Sequence, residues 1–463
     1  MKKNLLLFTI LILLISNCLI AQTQLWGTTQ RGGTNNYGTI FKLSNGNIIN
    51  YVHEFAGGIN GQQPMGNLCL VNNEYIYGTT VDGGINDKGI CYKININTLV
   101  FTKIHDFTDT TGGDDVYGLL KGNDGNLYGT TYNGTIGGPV IYKINPVTDA
   151  FTVLATFNSY TGMVGGVWEL INNKLYGLTN FHGANGLGTI FSFDLGTNTF
   201  AVLHNNDALT GYGGGSILNV GGGMLIGVAN SDYQNATNPQ YPVLYSYDLN
   251  TNTRTIIHQF DTLTGFGVPA KLVLANDGKI YGSASKGGSS YPNNFDGDGV
   301  VFSYDLNTNM YTVLHNFEFA VTGRENQCGM MQASDGLLYS ATYLSAKAFS
   351  YDIVTNTFSI VNNFSNIFGI QPSSPFLEIG TVTSATNKFH SINISVLPNP
   401  AEDFIVIDNN EKASNVTCTD ILGREIEQIQ LAGFGKTKVD VSAYPNVFFV
   451  KDNKWEVIKV MKN

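Results

Sequence analysis

The chain has 463 residues, of which only 13% are charged, 12% are aromatic and 54 are glycine. A formal charge of −10 and a pI near 5.1 argue against the basic face that a nucleic-acid partner would need. The aromatic content argues against a disordered chain, and abundant Gly, Asn, Thr and Tyr suit many short strands joined by tight turns.

The chain opens on a secretory leader, residues 1–21. Lys2 and Lys3 form its positive start, and Leu5 to Ile15 its apolar stretch. Asn17-Cys18-Leu19-Ile20-Ala21 then leads to a cut before Gln22. The rival reading makes Cys18 a lipidated residue, although Asn17 fits poorly in front of such a cysteine. No other apolar run approaches the roughly 20 residues that span a bilayer, so the expected mature protein is exported and soluble. Its remaining cysteines, Cys69, Cys91, Cys328 and Cys418, read as small core residues. Cys69 and Cys91 fall on strands with another strand between them, a gap of about 9–10 Å that is too wide for a disulfide.

Residues 22–380 are organised by one stretch that returns about every 50 residues, the period of a solenoid or propeller. It reads Leu25-Trp26-Gly27-Thr28-Thr29, then Ile76-Tyr77-Gly78-Thr79-Thr80, then Leu127-Tyr128-Gly129-Thr130-Thr131. It decays through Leu175-Tyr176-Gly177, Leu225-Ile226-Gly227 and Ile280-Tyr281-Gly282 to Leu338-Tyr339-Ser340. Around each copy lie four short apolar segments separated by turn residues, the pattern of a four-stranded antiparallel meander. In the third unit these are Val116 to Lys121, Leu127 to Thr131, Val140 to Ile144 and Ala150 to Phe157. The strands are apolar on both faces, as expected of blades sandwiched between neighbours. The anchor glycine suits a place where a backbone or a large aromatic must come close. The first unit lacks a first strand, and residues 369–379 echo the missing piece, so they are expected to complete it and close a seven-bladed ring.

Tyr-Gly-Thr-Thr, the Gly-Gly loop and Gly-Thr-Ile-Phe resemble the GloVer tandem repeats of exported bacterial proteins, a family defined by its repeat and not by an activity. The Tyr-Asp-Leu-Asn-Thr-Asn turns also look like kelch repeats, but the Trp usual at the end of a kelch unit is absent.

After Gly380 a polar linker, residues 381–391, leads to seven short apolar segments in residues 392–463, the pattern of a small Ig-like β-sandwich. Val396-Leu397-Pro398-Asn399-Pro400-Ala401 looks like the opening motif of the type A sorting domain of the type IX secretion system. Asp420-Ile421-Leu422-Gly423-Arg424 resembles its middle motif, and Lys459 and Lys462 its basic close. Tyr444-Pro445-Asn446 departs from the Gly usual before the aromatic strand. The resemblance implies passage through the type IX secretion machinery to the cell surface or beyond, and a Bacteroidota-like host.

Five of the seven histidines, His53, His105, His204, His258 and His315, share one repeat position in the fourth strand. Radial repetition puts equivalent positions too far apart to share an ion at about 2 Å, so packing or an inter-blade hydrogen bond is the expected role. Asn294, Asp296 and Asp298 place oxygen donors as at the front of a calcium loop, with Asp305 at the twelfth place. Asp305 also belongs to the repeat's own turn, which favours a plain acidic turn. Calcium is the one cofactor the sequence raises. Two loops between second and third strands are extended, 230–242 and 286–298. They carry Asp232, Tyr233, Tyr241, Tyr291 and Phe295, aromatic faces and carboxylates suited to a sugar. The inner strands offer only scattered Glu169, Lys271 and Glu378, and no matched catalytic set. The expectation is a monomeric, non-catalytic binding or adhesion protein for a glycan or protein. A glycan-active enzyme with its site in the channel, or a structural surface-layer component, remains the alternative.

Overall fold

The computed structural model describes, in the repeat region, residues 23–44, 48–109, 116–131, 138–157, 164–181, 183–207, 213, 215–230, 242–267, 271–292, 296–365 and 369–380. Towards the C-terminus it describes 394–397, 404–409, 414–420, 424–431, 435–445, 447–452 and 457–461. Contacts divide the chain into two units, Met1–Val382 and Thr383–Asn463.

The first unit is an all-β seven-bladed propeller. Each blade is an antiparallel meander whose four strands follow chain order, such as Gln62–Val71, Tyr75–Asp82, Ile90–Asn95 and Phe101–Asp106. The first blade is assembled from both ends of the unit. Thr23–Arg31 pairs with Thr39–Ser44 on one side and with Ile370–Pro372 and Leu377–Gly380 on the other. The inner strands of the last two blades are short, Val273–Leu274 and Met331–Gln332.

The repeated motif lies on the second strand, and each of its residues has a separate mechanical reason. All five residues of Leu127–Thr131 are buried, as expected of a strand covered on both faces. The tyrosine hydroxyl reaches the aspartate of the preceding turn: Tyr128 to Asp124 at 2.6 Å, Tyr281 to Asp277 at 2.8 Å, Tyr339 to Asp335 at 2.7 Å. The glycine lies directly across from an aromatic of the third strand, Gly78 opposite Tyr92, Gly129 opposite Tyr142 and Gly227 opposite Tyr245. A Cβ at Gly129 would stand 2.3 Å from the Tyr142 hydroxyl. The last threonine accepts the first N–H of the third strand, Thr80 from Ile90 at 3.0 Å, Thr131 from Val140 at 3.0 Å and Thr179 from Thr189 at 2.9 Å. Where the following loop is extended, the threonine gives way to Ala229 and Ala284, which pair with Val243 and Val300.

Because Tyr142 is fully buried, its ring has nowhere to retreat. Gly129→Ala is expected to destabilise the protein by about 1–3 kcal/mol through overpacking. In a Tyr142→Leu background the same change should cost clearly less. Chemical denaturation of the four proteins of that cycle is the check, and equal costs in both backgrounds would mean the glycine serves something other than the ring.

The second unit carries two antiparallel sheets. One orders Ile394–Leu397, Phe404–Asn409 and Gly435–Asp440; the other orders Glu425–Leu431, Ser414–Thr419, Val447–Asp452 and Val457–Met461. Ile405, Ile407, Val439, Val416, Cys418 and Val450, drawn from both sheets, form one buried cluster. Cys69, Cys91, Cys328 and Cys418 are all free thiols in buried positions. No helix among the described residues is long and apolar enough to cross a membrane.

Candidate functional site

The chain turns at two rims of the propeller. The hairpins joining first to second and third to fourth strands occupy one rim. The recurring aspartates at the start of the third-to-fourth hairpins are spent on their own turns, while Asp149 binds Tyr77 and Lys93 of the preceding blade. Asp194, Asp248, Asp305 and Asp352 each accept a backbone N–H two residues on, at 2.8–2.9 Å. Backbone hydrogen bonds hold the Asp194, Asp248 and Asp305 carboxyls below the ordinary carboxylate range, and the Thr355 hydroxyl leads the same effect at Asp352. Asp305 is therefore a turn residue.

The other rim carries the loops between second and third strands and the connections between blades. Exposed Ile59, Ile85, Phe181, Leu263, Phe319 and Val321 lie on it, two of them aromatic; the turn rim exposes the aliphatic Val100, Val147, Met310 and Val354. The loops here are braced. Asn35, Ile85, Ala184 and Ser289 donate their N–H groups to Glu54, Asp106, Asn205 and Asn316, at 2.7–3.0 Å, from the end of each blade's own fourth strand.

Of the extended loops, Asp232, Tyr233, Tyr241, Asn294 and Phe295 lie outside the described residues. Tyr291 is half-buried, edge-on to Phe266 with ring centroids 6.3 Å apart. The Asp296 carboxylate pairs with Lys286 at 3.0 Å. That of Asp298 accepts the Phe319 N–H at 3.2 Å. The two carboxylates thus turn to separate partners, and among the described residues no group of three or more His, Cys, Asp or Glu is placed to hold a metal ion. Pro398, Asn399, Pro400, Gly423 and Lys462 also lie outside the described residues. Lys459 stands in the strand Val457–Met461, opposite Phe449.

Along the inner strands the charged groups act as ties between blades. Glu169 accepts the Asn219 N–H at 3.1 Å, and Glu378 accepts the Ser334 N–H at 2.9 Å. Burial pushes the Glu169 carboxyl up, against the opposing pull of that N–H and of Lys271. Gly118 lies so close to Asn67 that a Cβ would stand 2.0 Å from its backbone nitrogen, so neighbouring inner strands meet backbone to backbone there.

The recurring histidines are seam residues. His53, His105, His258 and His315 stack flat on Phe101, Phe151, Tyr311 and Phe358 of the next blade, with centroids 3.7–4.0 Å apart. His204 meets Tyr247 edge-on at 6.3 Å. The Nε2 atoms of His105, His204, His258 and His315 are buried without a hydrogen-bond partner, so packing is what these rings provide. Burial lowers all five pKa values, to about 4 for His53 and His315 from 6.5. The unfolded chain therefore takes up protons below about pH 6.5 that the folded seams refuse until about pH 4. Stability should be fully present above that window and fall as pH drops through it. The aspartate turns lose theirs only below the unfolded carboxyl value of 3.8. Melting temperature against pH is the measurement, and the joint change of His258→Phe and His315→Phe should flatten the slope. An unaltered slope would remove the histidines as its cause.

A family model described as the Gloeobacter/Verrucomicrobia repeat matches residues 16–166, 117–295 and 164–391. A second, described as a secretion system C-terminal sorting domain, matches residues 395–457. No curated protein matches the chain. Among solved structures, the periplasmic gluconolactonase of Pseudomonas aeruginosa is 12% identical, with a TM-score of 0.53, covering 77% of this chain and 98% of its own. PorZ, a surface component of the type IX secretion system of Porphyromonas gingivalis, is 12% identical with a TM-score of 0.46, covering 93% of this chain and 63% of its own. Likeness at this identity speaks to the fold alone.

Proposed function

We propose that this chain, which belongs to the Gloeobacter/Verrucomicrobia repeat family, works outside the cell as a non-catalytic binding protein for a glycan or a protein. Its sorting domain implies handling by the type IX secretion machinery and indicates delivery to the cell surface or outside. The observation that carries the binding reading is the rim of loops between second and third strands and of connections between blades. It holds exposed apolar side chains, the aromatic Phe181 and Phe319 among them, on loops several of which are braced by hydrogen bonds. Braced loops lose little freedom on binding, which favours affinity. The ties that Glu169 and Glu378 make between blades support a structural duty for the charged inner strands.

A glycan array and a panel of purified surface proteins, probed with the mature chain, should yield a ligand. Shortening loops 230–242 and 286–298 to the length of the others should then weaken it about tenfold, the loss of one or two stacked aromatic or hydrogen-bonded groups at about 1 kcal/mol each. Unchanged affinity would place the site elsewhere, and turnover of a bound glycan into smaller products would favour an enzyme.

A further inference from the structure

The connection between the sixth and seventh blades, 317–329, holds a cation, Arg324, that makes no ion pair among the described residues although Glu318 and Glu325 lie in the same connection. The Arg324 guanidinium carbon lies 4.6 Å from the centre of the Phe319 ring. Arg324 is half-buried, and its Nε is buried without a hydrogen-bond partner. Among the described residues its guanidinium makes neither an ion pair nor a hydrogen bond, although the chain as a whole carries a net charge of −10. Keeping a guanidinium partly dry and unpaired is costly, and its fork of donors matches a carboxylate in two places at once.

The ring beneath is as informative as the cation. Phe319 is 51% exposed despite the guanidinium over it, and Val321 beside it is 60% exposed. The connection is also held in shape. The Glu318 carbonyl accepts N–H groups from Val321, Thr322 and Gly323 at 2.8–3.0 Å, and Thr322 Oγ1 accepts the Glu318 N–H at 2.7 Å. Asp298 accepts the Phe319 N–H, Glu325 donates its N–H to the Asp298 carbonyl at 3.2 Å, and Tyr343 donates its own to the Glu325 carbonyl at 2.9 Å. These bonds stitch the connection to the loops of both flanking blades, so ring and guanidinium are set before any ligand arrives.

We infer that Arg324 and Phe319 form a subsite for an acidic oligosaccharide, the guanidinium taking the carboxylate of one uronic acid and the side of the phenyl ring left open by the guanidinium packing against the apolar face of an adjoining sugar. A lone inorganic anion would use the cation and leave the ring idle; a neutral sugar would use the ring and leave the cation unpaired. A chain of carboxylated sugars uses both. This rests on the binding reading above and narrows it to a ligand class and a place.

The test is titration calorimetry of the mature chain with an oligouronate, with its methyl ester and with inorganic phosphate. The oligouronate is expected to bind, the ester at least tenfold more weakly, and phosphate too weakly to compete. Arg324→Gln should reduce oligouronate affinity tenfold or more while leaving the ester unaffected, and Phe319→Ala should weaken both sugars. Melting curves confirm that each variant is folded, and both sites are exposed enough for that to be expected. Equal binding of acid and ester, competition by phosphate at similar concentration, or full affinity in Arg324→Gln would each overturn the subsite. A neutral glycan or a protein that binds where the oligouronate does not would overturn the subsite and leave the broader binding reading standing. Failure of every glycan and protein probe would end both.

Discussion

Removal of residues 369–380 is expected to turn a cooperatively melting ring into an aggregating one. The strand Thr23–Arg31 would lose one of its two neighbours, including the pairings of Leu25 with Glu378, Trp26 with Leu377 and Thr29 with Pro372. Phe376 and Ile379, each 4% exposed, would vanish from beside Phe41 and Trp26. Two large buried side chains alone are worth about 3–6 kcal/mol, a large share of the 5–15 kcal/mol that ordinarily holds a domain together. Thr28 would also lose its hydroxyl partner Ser374, whose Oγ accepts the Thr28 N–H at 3.1 Å. An unpaired strand edge is in addition a template for another chain. Thermal melting with sedimentation checks this, with Phe376→Ala as a milder variant expected to fall between deletion and wild type. An unchanged melt in the deletion would show that the first blade closes by other means.

Removal of residues 392–463 should leave a folded propeller stranded in the periplasm. The tail forms a contact unit of its own and shares none of the seven blades, so the effect should fall on address and not on folding. Ile407→Asp offers the same test without truncation. It puts a charge into a cluster where Ile405, Val416, Cys418 and Val450 are all fully buried, which costs far more than such a small sheet pair can bear. Protease accessibility on intact cells distinguishes surface from periplasm, and surface exposure of the truncated protein would detach export from this module.

The blade plan was legible because the same physical problem is solved seven times. A residue that answers to its own blade, such as the glycine opposite Tyr142, recurs at a fixed period and announces itself. The histidines recur too, but their partners belong to the next repeat. His105 and Phe151 become neighbours only once blades are laid side by side, so the period showed the position without the stack. The exchange of threonine for Ala229 and Ala284 before the extended loops looked like decay of the motif. It reflects loops whose strands no longer begin under a threonine cap. Phe319 and Arg324 escaped notice for the opposite reason. They occupy a connection whose Thr322-Gly323 repeats Thr210-Gly211 and Thr264-Gly265 while its side chains change from blade to blade. Only the turn around Glu318 brings two residues five apart into contact.

The closing strand Leu377–Gly380 has a mechanical consequence, because the tail unit follows it within a few residues. Tension applied through the tail enters the propeller at the pairing of Gly380 with Thr23. The other six blades are each continuous in chain order and contain no such joint between distant parts of the chain. The first contact to bear a pull on the tail is therefore one short antiparallel pairing and the side chains that back it, whatever the melting temperature of the whole ring.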